Sequence, residues 1–252
     1  MLFNQNQAYP GKAIFAGMKT AVITGATKGL GKVITLKFLE NGFNVAVCAR
    51  SEMDLYRLKK EWQEQYPDRD ILAMPVDMRD TTATKEFAEK INQRFPQGVD
   101  VLVNNAGIFQ PGNIADEPEG RLEDMMNLNV LSAYHLSRNL LPLMIQKGSG
   151  HIFNMCSVAS LKAYPNGGSY SITKYALLGF SENLRYELRE KNIKVTALTP
   201  GAVWTDSWKD SGVDPDRLMT AADIAELLWT AYCLSPKATV ENIIVRPQLG
   251  DL

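Results

Sequence analysis

Tyr170 and Lys174 lie four residues apart in the stretch SYSITKYAL. Residues spaced i and i+4 share one face of a helix, so both side chains can point into one cleft. A phenol has a pKa near 10, too high for efficient proton exchange near neutrality. A lysine cation about 5 Å away stabilises the phenolate by roughly 3 kcal/mol, or about two pKa units, at an effective dielectric of 20. The pair can therefore serve as a general acid–base, although the same spacing also occurs on ordinary helices.

A glycine-rich turn follows the first apolar run of the chain. The sequence reads TAVITGATKGLG, so its glycines lie between a β-pattern and a helical pattern. Glycines at such a turn let the backbone approach a pyrophosphate, which then lies at the helix N-terminus. The spacing G-x-x-x-G-x-G predicts a dinucleotide site formed by Gly25, Thr27, Lys28, Gly29, Leu30 and Gly31.

The end of the second predicted strand indicates which dinucleotide binds. An acidic residue here would bind the ribose diol of NAD(H), but the chain reads VAVCARS, with Arg50 and no carboxylate. Arg50 and Lys28 together suit a 2′-phosphate, whereas either cation alone is equally consistent with a solvated surface charge. We therefore expect NADP(H) as the cofactor.

The chain alternates short β-rich runs with longer helical stretches, which would position these residues. Continuous apolar strands separated by helices indicate a parallel sheet covered on both faces. The expected fold is a single α/β domain with a Rossmann-type, doubly wound parallel sheet of seven strands. Predicted strands cover 20–24, 44–48, 71–76, 99–103, 151–156, 193–199 and 241–246. Predicted helices cover 29–41, 52–66, 82–95, a long region ending at Lys147 that Pro142 bends or trims, 169–191 and 221–234.

Two segments depart from this alternation. Residues 1–17 lack the basic and apolar regions of a signal peptide, so we expect a loose N-terminal arm before a domain spanning 18–252, with Met18 a possible start. Deletion of residues 1–17 should then leave melting temperature and activity unchanged. The stretch 200–219 is rich in loop residues and is a candidate lid over a substrate site.

Composition argues against several classes of partner. The 252 residues contain 27 Lys plus Arg and 28 Asp plus Glu, a balance that favours neither nucleic acid nor a membrane surface. No apolar run approaches the length of a membrane span, about 20 residues. Three scattered cysteines, Cys48, Cys156 and Cys233, fit reduced thiols in a cytoplasmic protein. The two histidines, His135 and His151, cannot assemble a metal cluster, so no metal site is expected.

Seven sequence features follow one another along the chain: TGATKGLG, Asp77 after the third strand, NNAG at 104–107, Asn129 in LNV, Ser157 after the fifth strand, YSITK at 170–174 and PGAVWT at 200–205. Each motif alone is weak evidence, but the ordered set covers most of residues 18–246. In this ordered set the chain resembles the classical short-chain dehydrogenase/reductase family. The C-terminal stretches TAADIAELL and VENIIVRPQLGDL are similar to the ends of sepiapterin-reductase-like small-carbonyl reductases.

The resemblance implies a catalytic set. Tyr170 is the general acid for carbonyl reduction, or the base for alcohol oxidation, and Ser157 orients the substrate oxygen. Lys174 holds the nicotinamide ribose and lowers the tyrosine pKa, and Asn129 supports a water in a proton relay. The resemblance also implies a homodimer or homotetramer.

The same resemblance implies contacts with the dinucleotide. Two residues lie along the adenine, three line the adenosine ribose side, and the loop after the sixth strand faces the carboxamide. In that order the residues are Asp77 and Met78; Asn105, Ala106 and Gly107; and Pro200, Gly201, Val203 and Thr205.

The leading function is an NADPH-dependent oxidoreductase that reduces a small carbonyl substrate to an alcohol, or runs the reverse reaction. One alternative is a 3-oxoacyl-thioester reductase, although the Gly-rich ending common in those enzymes is absent. Another is a non-catalytic NADPH-binding sensor, which the complete catalytic set argues against. Candidate substrate-wall residues are Phe109, Tyr164, Trp204 and Trp208, and the two tryptophans are equally consistent with loop packing.

Overall fold

The structure is a computed structural model that describes residues 18–208 and 212–251. The expected arm at 1–17 lies outside the described residues, as do residues 209–211 of the candidate lid. The described chain contains seven strands: β1 (Thr20–Thr24), β2 (Asn44–Ala49), β3 (Ile71–Pro75), β4 (Val101–Asn104), β5 (Gly150–Met155), β6 (Ile193–Pro200) and β7 (Asn242–Val245).

The seven strands form one sheet in the order β3-β2-β1-β4-β5-β6-β7, and every adjacent pair is parallel. This confirms the expected doubly wound sheet. The strand order reverses between β1 and β4, and in such sheets ligands bind in the crevice at the carboxyl ends of those strands. Strands β1 and β2 are buried along their whole length, which explains their continuous apolar runs, whereas the edge strand β7 alternates with exposed residues.

The described residues contain seven α-helices: α1 (Gly29–Glu40), α2 (Glu52–Gln65), α3 (Thr81–Arg94), α4 (Arg121–Met126), α5 (Ser132–Lys147), α6 (Gly168–Leu188) and α7 (Ala221–Cys233). Helices α1, α2 and α7 bury Phe38, Trp62 and Leu228 against one face of the sheet. Helices α3, α5 and α6 bury Phe87 and Leu140, with other apolar side chains, against the other face.

The region between β4 and Lys147 differs from the expected long helix. Residues 105–120 form no helix; α4 then leads into a π-helical turn at Asn127–Leu131, and α5 follows it. Pro142 neither trims nor ends α5, which runs on to Lys147. Proline removes one helical hydrogen bond, but Pro142 is exposed, and the buried side chains of Leu140 and Met144 on either side hold the helix against the core.

Within the described residues, no helix is both long and apolar enough to cross a bilayer. Over the same residues, no group of three His, Cys, Asp or Glu side chains is placed to hold a metal ion. The three cysteines are free thiols; Cys48 and Cys156 are buried, and Cys233 is exposed.

Candidate active site

The loops after β1, β4 and β6 converge at the carboxyl end of the sheet. A methyl group in place of the Gly25 hydrogen would lie 3.2 Å from Cα of Ala106, and one at Gly29 would lie 3.4 Å from Cγ2 of Thr205. A methyl group at Gly107 would lie 3.8 Å from Nζ of Lys174, which belongs to α6. The structure therefore brings the predicted dinucleotide loops together beside the predicted acid–base helix.

The glycine turn requires glycine at particular positions. Gly25 and Gly29 have positive φ angles of 68° and 51°, a conformation that favours glycine. A side-chain carbon at Gly31 would lie 2.2 Å from the carbonyl oxygen of Gly25, so α1 can begin this close to the turn only with glycine there. Thr27 and Leu30 are half-buried in the same turn. The turn thus has the open backbone that a pyrophosphate needs.

Asn105 supports this turn from β4. Its side-chain Nδ2 donates to the carbonyl oxygen of Thr24 at 2.8 Å and to that of Gly25 at 3.3 Å. The Thr24 hydroxyl accepts from the backbone N–H groups of Asn105 and Ala106 at 3.0 and 2.9 Å. Asn105 therefore holds the shape of the glycine turn, while its expected contact with an adenosine ribose remains a prediction.

Two cations flank the outer side of the turn. Lys28 lies at the start of α1 and Arg50 directly follows β2, and both are exposed. Neither forms an ion pair with a carboxylate of residues 18–208 or 212–251. Their charge is therefore not neutralised by the carboxylates of those residues, which suits the binding of an anion.

Asp77 and Met78 follow β3 and have different surroundings. Asp77 accepts from the backbone N–H of Arg79 at 3.1 Å, and Arg79 donates to Asp124 of α4 at 2.6 Å. The side chain of Met78 is only 4% exposed, with its sulfur 3.5 Å from that of Cys48. The expected contact of Met78 with an adenine remains a prediction.

Asn129 lies in the π-helical turn and is 1% exposed. Its Oδ1 accepts from the N–H of Ile108 at 2.9 Å, and its Nδ2 donates to the Ile108 carbonyl and to the Thr173 hydroxyl, both at 3.0 Å. The extra residue of a π-turn is a known means of redirecting a side chain at a functional site. Here it lets Asn129 join the loop after β4 to α6.

Ser157, Tyr170 and Lys174 form the centre of the site. Ser157 caps a short 3₁₀ turn after β5, and its hydroxyl is near enough to the Tyr170 phenol to lower the pKa of that phenol. Nζ of Lys174 lies 5.6 Å from the centroid of the Tyr170 ring and donates to the Met155 carbonyl at 2.7 Å. The i, i+4 spacing therefore places phenol and ammonium on one side of α6, next to a serine hydroxyl.

Burial sets the pKa values of this pair. It raises the pKa of Tyr170 to about 12, against a lowering contribution from the Ser157 hydroxyl. It lowers the pKa of Lys174 to about 8. We expected the Lys174 charge to lower the tyrosine pKa, and the net direction is the opposite. The expectation used the distance between two charges and left out the cost of removing a phenolate from water.

The loop after β6 closes the site from one side. Val203 pairs with Met219, and Trp204 N–H donates to the Met219 carbonyl at 2.8 Å. Pro200 ends β6, and a methyl group at Gly201 would lie 3.1 Å from Oδ1 of Asp251.

The base of the candidate lid is joined to the C-terminal segment. Arg217 donates to the carbonyl groups of Gly250, Leu249 and Asp251. Arg217 lies in the lid range, so these three bonds tie the described part of that loop to the chain end.

One of the four candidate substrate residues contacts Tyr170. The Phe109 and Tyr170 rings meet edge-on with centroids 4.9 Å apart. Tyr164 precedes α6, and partial burial raises its pKa to about 12. Trp204 and Trp208 are half-buried in the loop after β6, where Trp208 N–H donates to the Thr205 carbonyl at 3.0 Å. The substrate role of all four remains a prediction.

Sequence reasoning missed two residues that position this site. Thr24 holds the loop after β4 through its hydroxyl, and its signal was its place directly before the first glycine of the turn. The Thr173 hydroxyl accepts a hydrogen bond from Nδ2 of Asn129 and donates one to the Tyr170 carbonyl at 2.8 Å. It lies within the YSITK motif, but nothing local distinguishes its hydroxyl from that of a surface threonine.

Comparison with known proteins gives a family and several relatives. The sequence pattern described as short chain dehydrogenase matches residues 19–216. Sepiapterin reductase of Chlorobaculum tepidum is 32% identical over 241 residues, which cover 92% of this chain and 97% of that protein. 3alpha-Hydroxysteroid dehydrogenase of Mediterraneibacter gnavus is 31% identical over 188 residues, 75% of each chain. The resemblance inferred from the ordered motifs is thereby confirmed.

Two solved structures share the fold over nearly their full length. An alcohol dehydrogenase from the archaeon Thermococcus sibiricus, complexed with 5-hydroxy-NADP, has a TM-score of 0.84 at 26% identity and covers 92% of this chain and 97% of its own. L-Sorbose reductase from Gluconobacter frateurii, complexed with NADPH and L-sorbose, also has a TM-score of 0.84, at 25% identity, and covers 92% and 96%.

Proposed function

The chain belongs to the short-chain dehydrogenase family, and on that premise we propose that it reduces a small carbonyl compound to an alcohol with NADPH, or catalyses the reverse. The observation that carries the proposal is the grouping of three side chains: the Lys174 ammonium lies 5.6 Å from the Tyr170 ring centroid on the same helix, and the Ser157 hydroxyl is near enough to lower the pKa of the phenol. This group lies beside the glycine turn at the carboxyl end of the sheet, the place where ligands bind in such folds.

The residues present fit NADP(H). The glycine turn presents open backbone to a pyrophosphate, and glycine at position 31 lets α1 begin close to the Gly25 carbonyl. Lys28 at the start of α1 and Arg50 at the end of β2 are exposed cations that suit the 2′-phosphate. The neighbouring structures from Thermococcus and Gluconobacter contain NADP derivatives or NADPH, which supports the same choice here. When bound, the nicotinamide would supply a hydride to the carbonyl carbon.

The chain's own residues would supply the proton and hold the substrate oxygen. Burial keeps the Tyr170 phenol neutral at physiological pH, so it can donate a proton to the oxygen that becomes the alcohol. The Ser157 hydroxyl, which lies near the phenol, would turn its single proton toward that oxygen and donate a hydrogen bond to it beside that of Tyr170. Lys174 adds positive charge on the same side, and Asn129 holds the loop after β4 against α6.

Small carbonyl compounds are the substrate class that we favour. The sepiapterin reductase relative aligns along 97% of its length, so the likeness includes the C-terminal part that forms the substrate side in this fold. The Phe109 ring at the edge of Tyr170 gives this side an aromatic wall. Flat or cyclic carbonyl compounds would stack on such a wall.

The experiment that tests the function is the oxidation of NADPH and of NADH against a panel of carbonyl compounds. The panel holds sepiapterin, diketones, aromatic aldehydes and an acetoacetyl thioester. We expect turnover of a small carbonyl compound with NADPH well above that with NADH. Turnover of the thioester alone would assign the acyl-carrier reaction instead. Tight NADPH binding without turnover of any member would contradict the reductase and favour an NADPH-binding sensor.

We also propose a homodimer or homotetramer, as the family implies, and a location in the cytoplasm. The free state of all three cysteines supports a reducing compartment. Sedimentation equilibrium of the full chain measures the assembly state, and a monomer at micromolar concentration would contradict it.

A further inference from the structure

The segment after β4 contacts the start of α6 at several points. We call residues 108–117 the Phe109 segment. The Gly112 N–H donates to the Asn166 carbonyl at 3.0 Å, and a methyl group at Gly168 would lie 2.3 Å from the Gly112 oxygen. The carboxylate of Glu117 accepts a hydrogen bond from the hydroxyl of Ser169. These contacts all involve the few residues that precede Tyr170.

Glu117 lies where the start of α6 favours a negative charge. Helix α6 begins at Gly168, so Ser169 belongs to its first turn. Backbone N–H groups in a first turn lack helical partners, and the helix dipole is positive there. Oε1 of Glu117 accepts from Ser169. Oε2 is enclosed, lies 3.3 Å from the position of a Gly168 methyl group, and receives no hydrogen bond from residues 18–208 or 212–251.

The Phe109 segment also reaches the reacting phenol. The Phe109 ring meets the Tyr170 ring edge-on at 4.9 Å, yet Phe109 is 47% exposed. Packing alone is a weak restraint for a ring that is half in solvent. The position of Phe109 therefore depends on what fixes its segment. Asn129 holds Ile108 at one end of the segment. At the other end Glu117 supplies, among the described residues, the one direct side-chain hydrogen bond between the segment and α6.

We propose that Glu117 is a positioning residue for the reaction. Its hydrogen bond with Ser169 anchors the Phe109 segment to the start of α6 and keeps the Phe109 ring against Tyr170. Glu117 acts through its neighbours and touches no reacting atom. The inference deepens the proposed function and rests on it: the anchored ring would form a wall of the carbonyl site, so its loss would weaken carbonyl binding more than NADPH binding.

The test compares Glu117→Ala, Ser169→Ala and the double variant with Glu117→Gln and the exposed neighbour control Glu119→Ala. We expect each single alanine variant to lower kcat/KM for the carbonyl compound roughly tenfold, as loss of one hydrogen bond to a charged group predicts. The double variant should be no worse than either single, because both lose the same bond. Glu117→Gln keeps an acceptor oxygen and should stay within about threefold of the wild type.

The distribution of the loss separates positioning from simple instability. We expect the KM for the carbonyl compound to rise while the KM for NADPH, the melting temperature and the Glu119→Ala kinetics stay at wild-type values. Additive losses in the double variant, or equal rises in both KM values, would overturn the proposal. If Glu117→Ala fails to fold, Ser169→Ala and Glu117→Gln carry the same comparison.

Hydrogen exchange tests the anchor without any turnover. Amide exchange across residues 108–117, which include the bonded Gly112 N–H, should be faster in Glu117→Ala than in the wild type and unchanged in Glu119→Ala. Unchanged exchange in Glu117→Ala would overturn the anchor even in an active enzyme. A wild type that reduces no carbonyl compound would instead refute the proposed function, and the exchange result would still decide whether Glu117 anchors the segment.

Discussion

Tyrosine–lysine pairs occur at both ends of the sheet. At the carboxyl end, Lys174 Nζ lies 5.6 Å from the Tyr170 ring centroid. At the amino end, Lys19 Nζ lies 5.1 Å from the Tyr232 ring and donates to its hydroxyl at 2.8 Å. In both pairs burial raises the pKa of the tyrosine and lowers that of the lysine. The pKa shifts of the two pairs therefore have the same directions and the same main cause.

What differs is the surroundings. Tyr232 is enclosed by Phe43 and Trp229, each with its ring centroid 5.5 Å away. Its hydroxyl already accepts a hydrogen bond from Lys19. Tyr170 has the Ser157 hydroxyl nearby and the half-exposed Phe109 ring at its edge, next to the convergence of the glycine turn and the loop after β4. A buried phenol beside an ammonium becomes a candidate acid only where a substrate can reach it.

The sharpest contrast comes from removing the phenol at the carboxyl end. We expect Tyr170→Phe to lower turnover by roughly 10²–10⁴-fold, the usual contribution of a general acid. NADPH affinity should be retained, because only the proton donor is lost. Steady-state kinetics and fluorescence titration with NADPH measure the two quantities. Near-normal turnover would show that Tyr170 is not the proton donor. The two tyrosine–lysine pairs would then no longer differ in catalytic role.

The buried ammonium of Lys174 should show in the pH dependence of stability. Its pKa falls from 10.5 in the unfolded chain to about 8 when folded, so the unfolded chain binds more protons between these values. Rising pH across this window therefore stabilises the wild type relative to Lys174→Met, by roughly 3 kcal/mol at 1.36 kcal/mol per pKa unit. Urea unfolding of both proteins at several pH values measures the difference. Parallel curves would mean that the ammonium stays hydrated in the folded protein.

Cations at the two ends of the sheet should also behave differently. Lys147 at the amino end is paired with Asp100 at 2.5 Å, whereas Arg50 has no ion-pair partner in the part of the chain that the structure describes. We expect Arg50→Asp to lower the preference for NADPH over NADH roughly 10- to 100-fold, as loss of a charge-assisted hydrogen bond predicts.

The control for Arg50 is Lys60→Asp, which makes the same charge change at an exposed site on α2. The ratio of kcat/KM values for the two cofactors is the quantity to compare. An equal shift in both variants would assign the effect to overall charge, and an unchanged ratio in Arg50→Asp would remove Arg50 from the phosphate site.

We expect the smallest effect on turnover and stability from a change in the Lys19–Tyr232 pair. Tyr232→Phe keeps the ring contacts and loses the hydroxyl that accepts from Lys19, so we expect about 1 kcal/mol lower unfolding free energy. Turnover should stay within about twofold of the wild type, because the change is remote from the site. Thermal unfolding and the carbonyl assay measure both. A large loss of turnover here would show that the two ends of the sheet are coupled.

Local patterns were sufficient for most of the fold. The strands were predicted within about two residues because β1 and β2 are buried on both faces and so read as unbroken apolar runs. No local sequence pattern predicts the π-helical turn around Asn129, because such a turn contains the same types of residue as an α-helix. Helix α5 continues past Pro142 because Leu140 and Met144 are buried against the core. A rule that treats proline as a helix breaker takes no account of such burial.

The sequence by itself determined the seven parallel strands, the glycine positions and the order of the motifs, because these follow from short-range spacing and residue type. Only the tertiary structure decided the direction of the Tyr170 pKa, the burial of Met78 and the contact of Glu117 with Ser169, 52 residues away. Each depends on how much water is excluded at a point or on which distant segments meet there. Those quantities belong to the packed chain and to no local stretch of it.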